Sequence, residues 1–256
     1  MKVVTDARQL PSACAFVPTM GALHAGHASL FQLAKKYSDS IVASIFVNPL
    51  QFDSAQDLAR YPRTPELDIE LAAASGVTHL WLPTQIEIYP VGFEKRNAGK
   101  IGGIYEGASR PGHFDGVLTV VSRFFQLLRP KVAIFGEKDF QQLHLIKTIA
   151  ADVEIVAAPT IREADGLALS SRNVRLTPTD RVAATIIYKA LSQAKSEEEL
   201  RVILATESAF EVDYADFIDE ETFDHAHKQT PYVRALIAGW INGVRLIDNM
   251  PMGNRA

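Results

Sequence analysis

The chain contains a single cysteine, Cys14, so an intramolecular disulfide is impossible and a thiolate zinc cluster is excluded. Its neighbours Ala13, Ala15, Phe16 and Val17 are apolar, which favours a small buried core residue over a reactive thiol. No apolar run is long enough to span a bilayer. The opening Met1-Lys2-Val3-Val4-Thr5-Asp6 lacks the apolar region of a signal peptide. The expectation is a cytoplasmic protein with no membrane partner. An excess of charge is missing too. With 26 basic against 30 acidic residues and a formal net charge of -4, there is no basic field to hold nucleic acid. Polybasic tails, acidic runs, internal repeats and low-complexity segments are also lacking.

What is present is ordinary globular composition, with 47% hydrophobic and 22% charged residues in a chain of 256. Short β-branched or apolar runs alternate with stretches of helical period, the signature of a parallel sheet with helical crossovers. Strands are expected at residues 13–17, 41–47, 78–82, 132–135 and 154–157. Helices are expected from about His27, at 66–75 behind Thr64 and Pro65, at 116–128 and at 138–150. Residues 89–114 hold six glycines and two prolines and read as a long loop with short strands at most; loops of that length are often functional. Beyond Asn173 the order changes to helices followed by strands. Thr177 opens one helix and Ser196 another, and strand-like runs follow at 212–217, 232–239 and 244–246. The fold class expected is therefore α/β, a Rossmann-like parallel sheet with helices on both faces (1–173), plus a small C-terminal α+β domain (174–256) covering the cleft.

Four segments could carry chemistry, and all four follow strands of the first domain. Met20-Gly21-Ala22-Leu23-His24-Ala25-Gly26-His27 joins a buried strand to a helix start, where α/β sheets bind ligands and helix N–H groups favour phosphate. His24 and His27 lie on one side of the first turn and can both donate to phosphate oxygens. The stretch imitates a P-loop, but His27 and Ala28 stand where Lys and Ser/Thr would be needed. A zinc pair has the right spacing, but a third ligand is not evident, and no metal ligand is assigned. A pair of purely capping histidines is the competing reading.

The second segment, Phe135-Gly136-Glu137-Lys138-Asp139-Phe140-Gln141-Gln142, places a lysine within reach of phosphate, an acid for ribose hydroxyls and an amide at Gln142. It would equally serve as a solvated turn. The third, Asp165-Gly166-Leu167-Ala168-Leu169-Ser170-Ser171-Arg172-Asn173, offers two hydroxyls and a guanidinium to a polyphosphate, or is a domain linker. The fourth, Phe46-Val47-Asn48-Pro49-Leu50-Gln51-Phe52, sets the neutral donors Asn48 and Gln51 beside apolar walls and suits a hydroxy acid, although Asn-Pro is also a plain turn signal. His225, His227, Asp216, Asp219, Glu220 and Glu221 read as surface residues.

Taken together, residues 18–27, 44–52, 57–64, 106–121, 135–142 and 162–173, with Arg245-Leu246-Ile247-Asp248-Asn249 near the end, resemble the pantothenate synthetase (pantoate–β-alanine ligase) family of the nucleotidylyltransferase superfamily. The resemblance implies an amide-forming ligase. In it pantoate carboxylate attacks the α-phosphate of ATP to give pantoyl adenylate and pyrophosphate, and β-alanine then displaces AMP. It implies ATP as a substrate with Mg2+ carried on its phosphates, no prosthetic group, and a homodimer. By resemblance, His24, His27 and Lys138 are catalytic, with His27 in the family's proton-donor position. Met20, Gly21, Gly136, Glu137, Asp139, Ile161, Leu169, Ser170, Ser171 and Arg172 complete the ATP site. Gln51, Gln142, Asn48 and Met20 hold pantoate, and Gln51 also meets β-alanine. Asp68 is a candidate outer-shell contact of the magnesium, and residues 89–114, with Arg110 and His113, would close over the site.

The chain departs from the family pattern between Leu10 and Ala15 and between Ala150 and Glu154, where it is shorter. Two other readings stay open: a nucleotidylyltransferase acting on a different small acid, and a silent nucleotide-binding regulator. The full set of polar site residues argues against the second.

Overall fold

The structure is a computed structural model that describes residues 1–52 and 55–253, without the side chains of Ala55 and Asp57. Asp57, which opens one of the matching stretches, therefore lies outside the described side chains. The chain divides into two compact units, Met1–Pro159 and Thr160–Ala256.

In the first unit the elements run β1 (Lys2–Val4), β2 (Ala15–Thr19), α1 (Ala25–Ala34), β3 (Ile41–Ile45), α2 (Ala55–Arg60), α3 (Pro65–Ala74) and β4 (His79–Trp81). They continue with α4 (Gln85–Ile88), α5 (Glu106–Ser109), α6 (His113–Leu128), β5 (Val132–Gly136), α7 (Phe140–Ile149) and β6 (Glu154–Ala158). The six strands form one sheet in the order β1-β4-β3-β2-β5-β6, and every pairing is parallel. Parallel strands covered on both faces need apolar runs without alternation. The central ones have them: Ala15, Phe16 and Val17 of β2, Ile41, Val42 and Ala43 of β3, and Ala133 and Ile134 of β5 are all buried. On one face Phe31 and Ala34 of α1 and Ala72 of α3 pack against β2, β3 and β5. On the other, Phe124 of α6 meets Phe16 and Trp81 edge-on, with centroids 5.5 and 5.3 Å away.

From β2 the chain moves through β3 to β4 on one side. It then crosses back to place β5 and β6 on the other side. The order reverses between β2 and β5, and the crevice beyond their carboxyl ends is where such sheets bind ligands.

Several expectations need correction. The first long strand is Ala15–Thr19, two residues later than expected, because Pro18 and Thr19 continue the ladder opposite Ser44 and Ile45. Helix α1 begins at Ala25, ahead of His27. Lys2–Val4 is an edge strand, too short to leave a periodic signal, and only one 3-10 turn (Ala7–Gln9) lies between it and β2. Residues 89–114 contain no strand among the described residues; they hold a 3-10 turn at Ile101–Gly103 and the short α5, and α6 already starts at His113. Lys138 sits in a 3-10 turn, Glu137–Asp139, that precedes α7.

The second unit contains α8 (Pro178–Gln193), α9 (Glu197–Leu204), β7 (Glu211–Asp219), β8 (Val233–Ile241) and β9 (Val244–Pro251). The strands form an antiparallel sheet, β7-β8-β9. Thr177 and Asp180 make a reciprocal capping box at the start of α8, and Ser196 caps α9. Ile187, Leu191, Leu200, Leu204, Phe217 and Ile237 share its core. The compact unit begins at Thr160, not at residue 174, because the 160–173 segment packs inside it. Leu167 enters this core, and Arg162 makes a bidentate pair with the buried Asp248, at 3.0 Å for Nη2–Oδ1. That pair also accounts for the closing 245–249 stretch: Asp248 holds Arg162, while Asn249 Oδ1 accepts from Arg234 at 2.6 Å.

Candidate active site

Three adjacent strands, β3, β2 and β5, deliver the polar candidates from their carboxyl ends. β2 leads into the turn before α1. Here Gly21 has φ +84 and Ala22 φ +50, and the chain turns sharply enough for His24 to become the N-cap of α1. His24 Nδ1 accepts the N–H of Gly26 at 3.1 Å, and His27 Nδ1 accepts the N–H of His24 at 3.2 Å. This is a capping box built from two imidazoles, with ring centroids 4.2 Å apart.

The consequence for tautomers is direct. A nitrogen that accepts cannot carry a proton, so each neutral ring holds its proton on Nε2 and presents it as a donor. Both rings stay neutral. Burial, then the Lys138 charge, pushes the His24 pKa down to about 4; burial, then His24 itself, pushes that of His27 down to about 3. The capping reading and the phosphate reading are therefore compatible: capping uses Nδ1 and leaves Nε2–H for a ligand. The expectation that backbone N–H groups at this helix start are open to phosphate is corrected for His24 and Gly26, whose N–H groups the imidazoles occupy.

β5 delivers Lys138, which is largely buried and 4.0 Å from the Asp139 carboxylate. Its field lowers the pKa of both histidines, and that of Asp139 raises them, which places these four groups in one electrostatic neighbourhood. Gly136 ends β5. Gln142 on α7 is half-buried, and its side-chain amide makes no hydrogen bond among the described residues. Its neighbour Gln141, which sequence reasoning passes over, holds residues 101–106 in place: its Nε2 donates to the carbonyls of Ile101 and Ile104, and its Oε1 accepts from Glu106 N–H.

β3 delivers Asn48 and Gln51. Asn48 is expected to wall the pantoate pocket, but its amide is fully engaged inside the protein. Nδ2 donates to Gln51 Oε1 and Gly116 O, both at 3.0 Å, and Oδ1 accepts from Leu50 N–H and the Tyr89 hydroxyl. Asn48 thus sets the position of Gln51. With its Oε1 taken, Gln51 points Nε2 at Met20 Sδ, 2.8 Å away. Met20 and Gln51 are brought together, as expected of groups sharing a pocket. The Gln51 carbonyl accepts from Arg110 at 3.1 Å and from His113 Nδ1 at 2.8 Å. The two loop residues singled out in sequence therefore brace the Gln51 backbone. Gly116 permits this approach, since a Cβ there would lie 2.2 Å from Leu50 O.

In the second unit, Arg162 and Ala168 form an isolated antiparallel bridge, and Leu169 N–H donates to Ile161 O at 2.9 Å. Ser170 caps the 3-10 turn Ser171–Arg175, its Oγ accepting from Arg172 N–H at 3.2 Å. Ile161, Leu169, Ser170, Ser171 and Arg172 are consequently neighbours on one hairpin and the turn that follows.

A Rossmann-like sheet of this order, with a His-Ala-Gly-His turn at its switch point and a lysine on the adjacent strand end, defines a nucleotide-binding enzyme of the nucleotidylyltransferase type. The family model for pantoate–β-alanine ligase matches residues 1–251. Pantothenate synthetase from Acidothermus cellulolyticus is 48% identical over 93% of this chain and 85% of its own length, and that from Chlorobium chlorochromatii is 45% identical over 94% and 90%. Among solved structures, pantothenate synthetase from Thermus thermophilus superposes with a TM-score of 0.94 at 40% identity, covering 99% of this chain and all of that one. The pantoate–β-alanine ligase of Francisella tularensis, complexed with β-γ ATP and β-alanine, gives 0.83 at 37% identity over 98% and 97%. The chain belongs to the pantoate–β-alanine ligase family.

Proposed function

We infer that this chain condenses pantoate with β-alanine at the expense of ATP, forming pantothenate, AMP and pyrophosphate through a pantoyl adenylate. The observation that carries the reading is the convergence of Gln51, the His24–His27 pair and Lys138 on three neighbouring strand ends at the switch point of the sheet, in a chain of this family.

A carboxylate is a poor acyl electrophile until one of its oxygens becomes a good leaving group. In the first step a pantoate carboxylate oxygen bonds to the α-phosphorus as the bond from that phosphorus to the bridging oxygen breaks, and pyrophosphate leaves with the electron pair. Negative charge grows on the phosphate oxygens, so donors fixed beforehand contribute most. The Nε2–H groups of His24 and His27 and the Lys138 ammonium are such donors. Because both imidazoles are neutral at pH 7, they act by hydrogen bonding to charge that develops; the proton-donor role is assigned to His27 by family resemblance. Met20, Gly21, Gly136, Glu137 and Asp139 belong to the nucleotide's site. In the second unit, Ile161, Leu169, Ser170, Ser171 and Arg172 are proposed as nucleotide contacts, the last three to phosphate. Gln142, with its amide unspent, and Gln51 hold pantoate. In the second step the β-alanine amine attacks the acyl carbonyl beside Gln51, loses a proton, and AMP departs.

Mg2+ enters with the triphosphate as part of the substrate. The chemistry calls for no prosthetic group, and homodimer formation and a cytoplasmic location complete the reading. Incubating the protein with ATP, pantoate and β-alanine and identifying the products tests it: pantothenate and AMP in equal amounts are expected, and ADP or an untouched β-alanine pool would refute it.

A further inference from the structure

The turn that carries the two histidines is held from below by a residue on another element. Asp68 lies on α3, with 2% of its surface exposed. Its Oδ1 accepts the N–H of Leu23 at 2.7 Å, and its Oδ2 accepts that of Ala22 at 3.0 Å. Thr64 Oγ1 adds a third donor to Oδ1 at 3.0 Å. Gly21 and Ala22 both have positive φ, which turns successive N–H groups to one side and makes a small concavity that attracts an anion. Such a concavity beside a helix start could receive a substrate phosphate. Here the protein fills it with its own carboxylate. A Cβ at position 21 would lie 2.9 Å from Asp68 Oδ2, so the fit leaves room for glycine only.

We propose that Asp68 is a positioning residue for adenylation: its buried carboxylate fixes residues 21–23 in the shape that aims the Nε2–H groups of His24 and His27 at the nucleotide. The proposal rests on the preceding reading that these imidazoles meet ATP phosphates. It differs from a role for Asp68 around magnesium. The carboxylate oxygens already accept two main-chain N–H groups and one hydroxyl, and those contacts define the turn whether or not a metal is bound. Non-glycine backbone at φ +50, as at Ala22, persists only when its surroundings enforce it, and Asp68 grips the N–H groups of Ala22 and Leu23. Left to itself, the turn would relax toward a commoner shape and carry the N-cap with it.

The test is Asp68→Asn in the full-length chain, which keeps the side-chain shape but turns one acceptor into a donor facing an N–H. Pyrophosphate release with pantoate is followed from low to saturating Mg2+, together with amide hydrogen exchange at Ala22 and Leu23. The expected result is a fall in kcat of roughly 100-fold, as for a displaced catalytic group. KM for ATP should change far less, the deficit should be the same at every Mg2+ concentration, and exchange at the two amides should be faster. A kcat within about twofold of the parent, or a deficit that closes as Mg2+ rises, overturns the proposal. If Asp68→Asn does not fold, Thr64→Val removes a single donor. It should lower kcat about fivefold with faster exchange at Leu23, and a parent-like Thr64→Val on both readouts overturns the proposal equally. A parent chain that releases no pyrophosphate with pantoate removes the functional reading instead, whereas an active parent with an indifferent Asp68→Asn removes only the role of Asp68.

Discussion

His27 Nδ1 accepts the backbone N–H of His24, 3.2 Å away, while His24 Nδ1 accepts that of Gly26; each imidazole is locked as its Nε2–H tautomer by the helix it starts. Protonating either ring puts a hydrogen on the nitrogen that must accept, and the cap fails. The folded-state pKa values, about 4 and about 3, lie below the ordinary 6.5. The unfolded chain therefore takes up these protons first as pH falls. The stabilisation linked to the neutral rings is fully present above about pH 6.5 and is lost progressively as pH falls through the folded values. Thermal melts from pH 7 to pH 4 should show a falling midpoint, with a shallower fall in the double variant His24→Asn and His27→Gln. Parallel curves would refute the assignment.

Replacing His27 alone by Gln keeps a polar side chain at the third position of α1 but removes the fixed Nε2–H. The first half-reaction should be lost while ATP binding is weakened only in part, as expected for a group whose contact strengthens as charge develops. Equal activity of parent and variant in a coupled assay would contradict this.

Lys138 is the cation whose field reaches both histidines. Lys138→Ala should lower the adenylation rate by roughly 100-fold or more, the usual consequence of deleting a charge aimed at a developing oxyanion. Near-normal pantoate-dependent pyrophosphate release in the variant would remove Lys138 from the mechanism.

Gly116 lets α6 touch the Pro49–Gln51 turn, and its carbonyl receives the Asn48 amide. Gly116→Ala puts a methyl group 2.2 Å from Leu50 O, and forced repacking of this kind costs about 1–3 kcal/mol. Denaturant melts should show that loss, and KM for pantoate should rise through displacement of Gln51. An unchanged KM would mean that the Asn48–Gln51 unit does not set the acid pocket.

Much of this is legible in sequence because parallel strands buried on both faces announce themselves as apolar runs: the elements around Val42 and Ile134 and the switch-point turn at Gly21 follow from pattern alone. Lys2–Val4 is not, since three edge residues carry no period. The beginning of α6 at His113 is hidden behind Pro111 and Gly112, whose composition reads as loop. Site residues fare unevenly for a similar reason. His24, His27 and Lys138 follow strand ends and can be placed by topology. Asn48 looks like a pocket donor until its bonds to Leu50, Gly116 and Tyr89 are seen, and the last two are set by tertiary contact. Asp68 leaves only the ordinary signal of an acid in the first turn of a helix; its main-chain partners lie 45 and 46 residues away, beyond any local pattern.

The central claim is the adenylate, and the most direct measurement is pyrophosphate release from ATP with each co-substrate omitted in turn. ATP with pantoate alone should release pyrophosphate, at least one equivalent per site, while ATP with β-alanine alone should release none, and all three together should sustain turnover with AMP. Pyrophosphate formed without pantoate, or formed only when β-alanine is also present, would contradict the two-step account.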